Sequence, residues 1–136
     1  MNEVRVLIID EHTEVCRALA LRLQTVPTID VVGATCNFEE GPCLARLAQP
    51  DVILLELKSS GRCGHSGSRM DPVRAIRRLL DAGRCSIIVL TSYLDEAEHD
   101  TALFAGAKRY LLKNIDTIRL VTEIEEVACE AMSHEE

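Results

Sequence analysis

Pro50-Asp51-Val52-Ile53-Leu54-Leu55-Glu56 passes from a turn-forming pair through four apolar residues to an acid. No polar residue alternates with the apolar ones, so both faces of the segment need cover, as in a central strand of a parallel sheet. Glu56 then stands at the carboxyl end of that strand. Three other runs repeat the pattern. Val4-Arg5-Val6-Leu7-Ile8-Ile9 is followed by Asp10 and Glu11, Ser86-Ile87-Ile88-Val89-Leu90 by Thr91, and Tyr110-Leu111-Leu112 by Lys113. Open α/β sheets bind ligands outside the carboxyl ends of their strands. Three acids, a hydroxyl and an ammonium brought together there make a compact site for a metal ion and a phosphoryl group.

Between these runs lie helical patterns. Strands are expected near 4–9, 29–34, 51–56, 86–91 and 108–112, and helices near 13–25, 38–48, 70–82, 95–105 and 116–131. Val15, Ala18, Leu19 and Leu23 are expected to share the buried face of the first helix. Val73, Ile76 and Leu80 do so for the third, and Leu120, Ile124, Val127 and Ala131 for the last. Gly83 and Gly106 stand where helices should stop. Strand and helix in strict alternation predict a doubly wound α/β domain with helices on both faces of a parallel sheet.

The chain has 136 residues, enough for one domain with its own core. Apolar residues make up 47% and aromatics only 3%, so Val, Ile, Leu and Ala must fill that core. A formal charge of −7 argues against a nucleic-acid surface, which needs clustered Lys and Arg. No apolar run approaches the roughly 18 residues of a membrane span. Met1-Asn2-Glu3 does not open a signal peptide. A cytoplasmic chain with reduced thiols is therefore expected, and the six Cys read as packing or incidental residues.

Val6-Leu7-Ile8-Ile9-Asp10-Glu11-His12, Pro50 through Glu56, and Gly106-Ala107-Lys108-Arg109-Tyr110-Leu111-Leu112-Lys113 appear in the order found in two-component receiver domains. The chain resembles the receivers of NarL/LuxR-type response regulators over about residues 3–131, leaving 132–136 as a tail. The resemblance implies a flavodoxin-like (CheY-like) fold of five parallel strands in order 2-1-3-4-5. It also implies an interaction module in phosphorelay signalling rather than an enzyme. Asp10 and Glu11 then match the acidic pair that holds Mg²⁺, with Glu56 as the third acid. Thr91 matches the hydroxyl that meets the phosphoryl group, Lys113 the ammonium that pairs with it, and Tyr110 the aromatic switch. A sensor histidine kinase or another signalling protein is the implied partner. Output on transcription would pass through a DNA-binding domain or partner outside this chain.

Glu56 falls where the family has its phosphoryl-accepting Asp. Phosphoryl transfer to a carboxylate depends on placement, and an error of about 1 Å can cost about 100-fold. Glu adds one methylene, about 1.5 Å of reach, and so carries its charge toward where a phosphoryl group would be. The expectation is an atypical receiver that is not phosphorylated at this position, with Glu56 partly imitating the activated state through Lys113 and Mg²⁺ held weakly. One alternative is a working receiver that uses another acid, Asp10 or Asp51. A second is a flavodoxin-like cofactor carrier, opposed by Glu11-His12-Thr13-Glu14, whose acids would repel a cofactor phosphate after the first strand.

Lys58 to Arg69 is rich in Gly and Ser and long for a strand-to-helix connection, as if roughly eight residues had been inserted. The short Pro-Gly-containing motif usual after the acceptor is missing. Cys63, His65 and Cys85 lack the paired spacing of a structural zinc site, so a flexible loop without zinc is the reading. Finally, the last helix carries Glu123, Glu125, Glu126 and Glu130, and Lys108 and Arg109 lie on the adjoining edge strand. Reciprocal pairing of these charges across a two-fold axis would suit a homodimer.

Overall fold

Val52, Ile53, Leu54 and Leu55 are all buried, and their side chains go alternately to two separate cores. The computed structural model describes residues 3–57 and 71–133. Its elements are β1 (Val4–Ile9), α1 (Thr13–Gln24), β2 (Ile29–Thr35), a 3-10 turn (Phe38–Glu40) leading into α2 (Gly41–Ala48), β3 (Val52–Leu55), α3 (Pro72–Asp81), β4 (Ser86–Thr91), α4 (Glu96–Ala105), β5 (Arg109–Leu112) and α5 (Thr117–Ser133). Every strand pair is parallel, and the order is β2-β1-β3-β4-β5, as expected. The loop expected over 58–69, with Cys63 and His65, lies outside the described residues.

One core takes Leu7 and Ile9 of β1, Ile53 and Leu55 of β3, and Ile87 and Val89 of β4. Ala45, Ile76, Leu79 and Ala102, from α2, α3 and α4, cover them. The other takes Val6, Ile8, Val52, Leu54, Ile88 and Leu90, covered by Leu19 and Leu23 of α1 and Leu120, Ile124 and Val127 of α5. Strand alternation thus feeds both layers, which is why the central strands carry no polar face.

All three expected helix faces are shifted: in α3 the buried residues are Ala75, Ile76 and Leu79, while Val73 and Leu80 are half-buried. In α1 the buried residues are Cys16, Leu19 and Leu23, while Val15 and Ala18 are exposed. The helix is rotated so that the small, apolar Cys16 faces the sheet, with its thiol 3.7 Å from the Thr35 carbonyl. In α5, Leu120, Ile124 and Val127 are buried but Ala131 is exposed. A helix of 17 residues spans about 25 Å, longer than the four to six residues of β1, β3 and β4 on which it packs.

Helix ends follow local chemistry. Asp71 caps α3 by accepting from the Val73 and Arg74 amides, and Asp95 caps α4 by accepting from the Glu98 amide. Gly106 ends α4 at φ 124°, a backbone conformation open to glycine, and a Cβ there would lie 2.8 Å from Leu80 Cδ1. The chain then enters β5 on the edge of the sheet, setting the position of Lys113.

Candidate functional site at the carboxyl edge of the sheet

The topology reverses at β1, which has β2 on one side and β3 on the other. Such a switch point opens a crevice at the strands' carboxyl ends. Backbone hydrogen bonds set the residues around it. The Asp10 amide donates to Thr35 O at 3.0 Å, the Glu56 amide to Ile9 O at 3.0 Å, and the Lys113 amide to Thr91 O at 2.8 Å. Asp10, Glu56, Thr91 and Lys113 therefore top four successive strands, as their runs imply.

The side chains converge on the ammonium. Lys113 Nζ lies 2.6 Å from Asp10 Oδ2 and 3.0 Å from Glu56 Oε1. Both carboxylates are nearly sealed from solvent, at 4% and 1% side-chain exposure. The long, flexible lysine stem reaches them from the edge strand β5, and its compact charge can serve two acids at once. Each contact is worth on the order of 5 kcal/mol of attraction at an effective dielectric of about 20, set against the cost of desolvating all three charges.

The other oxygen of Asp10 is also held. Asp10 Oδ1 accepts from the His12 amide at 2.9 Å and lies 2.9 Å from His12 Nδ1. A carboxylate only accepts, so Nδ1 is the ring nitrogen that carries the hydrogen. Sequence reading found no chemical role for His12. Its signal is local: an acid whose side chain closes a turn on the residue two further along.

Glu11 is half-buried beside Asp10. Asp10, Glu11 and Glu56 were expected to gather around Mg²⁺. Among the described residues, no group of three or more His, Cys, Asp and Glu side chains is disposed to hold a metal ion. Mg²⁺ demands oxygen ligands in near-octahedral geometry. Here the space between the two deepest acids belongs to Lys113, and the remaining Asp10 oxygen belongs to His12. This arrangement does not fit the metal.

Thr91 is fully buried, and its hydroxyl donates to Tyr93 O at 3.0 Å. Tyr110 is also buried. Its hydroxyl donates to Glu98 Oε1 at 2.7 Å and accepts from the Asp95 amide at 3.2 Å, and its ring meets His99 edge-on at 5.4 Å. Burial, then the bond to Glu98, pushes the phenol well above its ordinary range. The aromatic residue expected to act as a switch is thus packed inward and tied to the first turn of α4.

Arg109 corrects the charge pattern proposed for a dimer. Its Nε lies 2.8 Å from Glu123 Oε1 and its Nη2 2.8 Å from Glu130 Oε2, with Glu126 at 3.8 Å. The guanidinium is engaged by α5 of its own chain, and these contacts, led by the bond to Glu130, raise its already high pKa. Reciprocal pairing across a two-fold axis would have to break them. Only Lys108 of the two basic residues remains exposed. Cys85 is half-buried with its thiol 3.8 Å from Leu79 O, and burial pushes it up to about 11.

Residues 6–125 match the response regulator receiver domain family, and the chain belongs to that family. It is 39% identical over 110 residues to the transcriptional regulatory protein LiaR of Bacillus subtilis, covering 81% of this chain and 49% of LiaR. It is 32% identical over 127 residues to the nitrate/nitrite response regulator protein NarL of Escherichia coli, covering 93% of this chain and 56% of NarL. The chain thus spans about half the length of these curated relatives. A LuxR-family two-component response regulator from Aurantimonas superposes with a TM-score of 0.78 at 25% identity, over 95% of this chain and 87% of that one. A response regulator from Burkholderia pseudomallei, solved with a phosphorylated aspartic acid, a calcium ion and citrate, superposes with a TM-score of 0.74 at 25% identity, over 98% of this chain and 73% of that one. Among the described residues, no helix is long and apolar enough to cross a membrane.

Proposed function

We propose that this chain is an atypical receiver over residues 3–131, in which Glu56 stands at the position of the phosphoryl-accepting Asp and holds one signalling state without being phosphorylated there. The observation that carries this reading is the 3.0 Å contact between Glu56 Oε1 and Lys113 Nζ. The acid at the end of β3 already meets the ammonium that the resemblance assigns to a phosphoryl group. Its single charge is less than the −1.5 to −2 of that group, so the imitation is partial. Thr91 and Tyr110 are the residues through which such a state would pass to α4. An incoming donor would also have to displace Lys113 from two buried carboxylates.

The module acts by contact rather than by turnover. Its partners are a sensor histidine kinase or another signalling protein, and a second copy of itself. Its effect on transcription runs through a DNA-binding domain or a partner protein. Sedimentation at tens of micromolar tests the reading. Self-association should be the same with and without acetyl phosphate, and should weaken in Glu56→Ala. A monomer unchanged by Glu56→Ala, or one that pairs only after the donor is added, would contradict it.

A further inference from the structure

Cys16 is buried on the face of α1 that packs on the sheet, and its thiol lies 3.7 Å from the Thr35 carbonyl. Cys36 is the residue joined to that carbonyl, so one peptide unit lies between it and the Cys16 sulfur. The Thr35 side chain turns toward the 3-10 turn, where its hydroxyl donates to Glu40 Oε1 at 2.7 Å. Continuing the alternation of β2 sends Cys36 to the opposite face, the one that α1 covers. Burial first, then the charges of nearby Asp10 and Cys36, push Cys16 up to about 11. The same Thr35 carbonyl accepts the Asp10 amide at 3.0 Å. The two thiols therefore share an anchor with the first acid of the site.

We propose that Cys16 and Cys36 are a reversible redox pair that passes an oxidant signal to Asp10. Cys36 is half-buried and meets the oxidant first. Cys16 is sealed and held as the thiol, so it resists direct oxidation. The oxidant is a hydroperoxide, such as hydrogen peroxide. The Cys36 thiolate attacks one peroxide oxygen, the O–O bond breaks, and the leaving hydroxide takes up a proton as water. Cys36 is then a sulfenic acid. The Cys16 sulfur attacks the Cys36 sulfur, an S–S bond forms, the S–O bond breaks, and hydroxide leaves with the Cys16 proton as a second water. Two thiols and one peroxide thus give one disulfide and two waters, and a dithiol reductant reverses the bond by exchange. Closing it draws the Cys16 sulfur off the carbonyl that anchors the Asp10 amide. This input goes beyond the reading of Glu56 and does not depend on it.

The test is disulfide mapping in Cys43→Ser, a change at an exposed position that leaves Cys36 as the single cysteine of its tryptic peptide. Dilute folded protein is treated with hydrogen peroxide, capped with N-ethylmaleimide and digested. The dominant disulfide should join Cys16 to Cys36, with a loss of two hydrogens in intact mass that dithiothreitol restores. In amide-proton NMR spectra the Asp10 and His12 peaks should move on oxidation and return on reduction. Cys16→Ala should leave a Cys36 sulfenic acid that dimedone traps. No Cys16–Cys36 bond in protein still folded by circular dichroism overturns the pairing. So does a dominant disulfide between either thiol and another cysteine. Cross-linking with unmoved Asp10 and His12 peaks overturns the signal to the site. Absence of the sulfenic acid in folded Cys16→Ala overturns the role of Cys36 as the residue oxidised first. If Cys16→Ala does not fold, Cys36→Ser takes its place: Cys16 should then keep its thiol through the peroxide treatment, and its oxidation there would overturn the same order.

Discussion

Tyr110 and Glu98 are joined by a 2.7 Å hydrogen bond from the phenol to the carboxylate, across the gap between β5 and the first turn of α4. The Asp95 amide donates to the same phenol oxygen, so one hydroxyl holds the cap and first turn of the helix. Tyr110→Phe keeps the buried ring and its edge contact with His99 but removes both bonds. It should cost about 1 kcal/mol, read as a lower urea midpoint with an unchanged slope. A variant as stable as wild type would show that the hydroxyl contributes nothing to holding α4.

The same hydroxyl predicts a dependence on alkaline pH. Burial first, and the bond to Glu98 second, raise the folded-state pKa of Tyr110 above the ordinary 10.0. A group whose pKa is raised by folding contributes stability that is complete below its unfolded value. That contribution is lost as pH climbs from about 10 toward the higher folded value. In Tyr93→Phe, where Tyr110 is the remaining tyrosine, phenolate absorbance should rise only together with loss of the folded circular-dichroism signal. A separate rise in the folded protein near the ordinary tyrosine pKa would contradict this.

Lys113→Ala leaves Asp10 and Glu56 as neighbouring buried acids with their shared cation gone. Removing one partner from a buried charge cluster typically costs about 3–5 kcal/mol. Chemical denaturation at neutral pH should show a loss of this size. Lys113→Arg should recover part of it, because the charge survives while the planar fork fits the two acids less well. A loss below about 1 kcal/mol, the range of an exposed pair, would mean that the three charges do not act as a unit.

Much of this site could be read from residue order alone. Val52 to Leu55 and Ile87 to Leu90 are apolar throughout because two layers cover them, and that pattern gives strand, parallel pairing and buried position together. Once the strands are placed, Asp10, Glu56, Thr91 and Lys113 fall at their ends with no further information. The buried face of α1 was harder to read. Val15 and Ala18 look as apolar as Cys16, and only packing on the sheet chooses the rotation that buries the thiol. His12 was missed because its bond to Asp10 depends on how the backbone turns after β1. The partners of Arg109 were misassigned because acids on α5 can serve an arginine of the same chain or of a second one, and sequence does not distinguish the two.

The thiols separate by burial. Cys16 and Cys85 are both pushed up to about 11, in each case chiefly by desolvation, whereas Cys43 and Cys129 are exposed. Iodoacetamide at pH 8 should modify Cys43 and Cys129 before Cys16 and Cys85. Cys16 and Cys85 should follow only on adding denaturant, since the thiolate is the reactive form. Peptide mapping of a time course checks the order. Early modification of Cys16 would show that α1 leaves the sheet more readily than its packing implies.

Glu56 as a fixed stand-in for a phosphorylated aspartate is tested most directly by intact mass after incubation with acetyl phosphate and Mg²⁺. On that assignment the wild-type mass should stay unchanged, with the Glu56 carboxylate held 3.0 Å from Lys113 Nζ. Glu56→Asp, with its shorter side chain, should gain the mass of one phosphoryl group. A stoichiometric gain of that mass by the wild type, mapping to Glu56, would contradict the assignment outright.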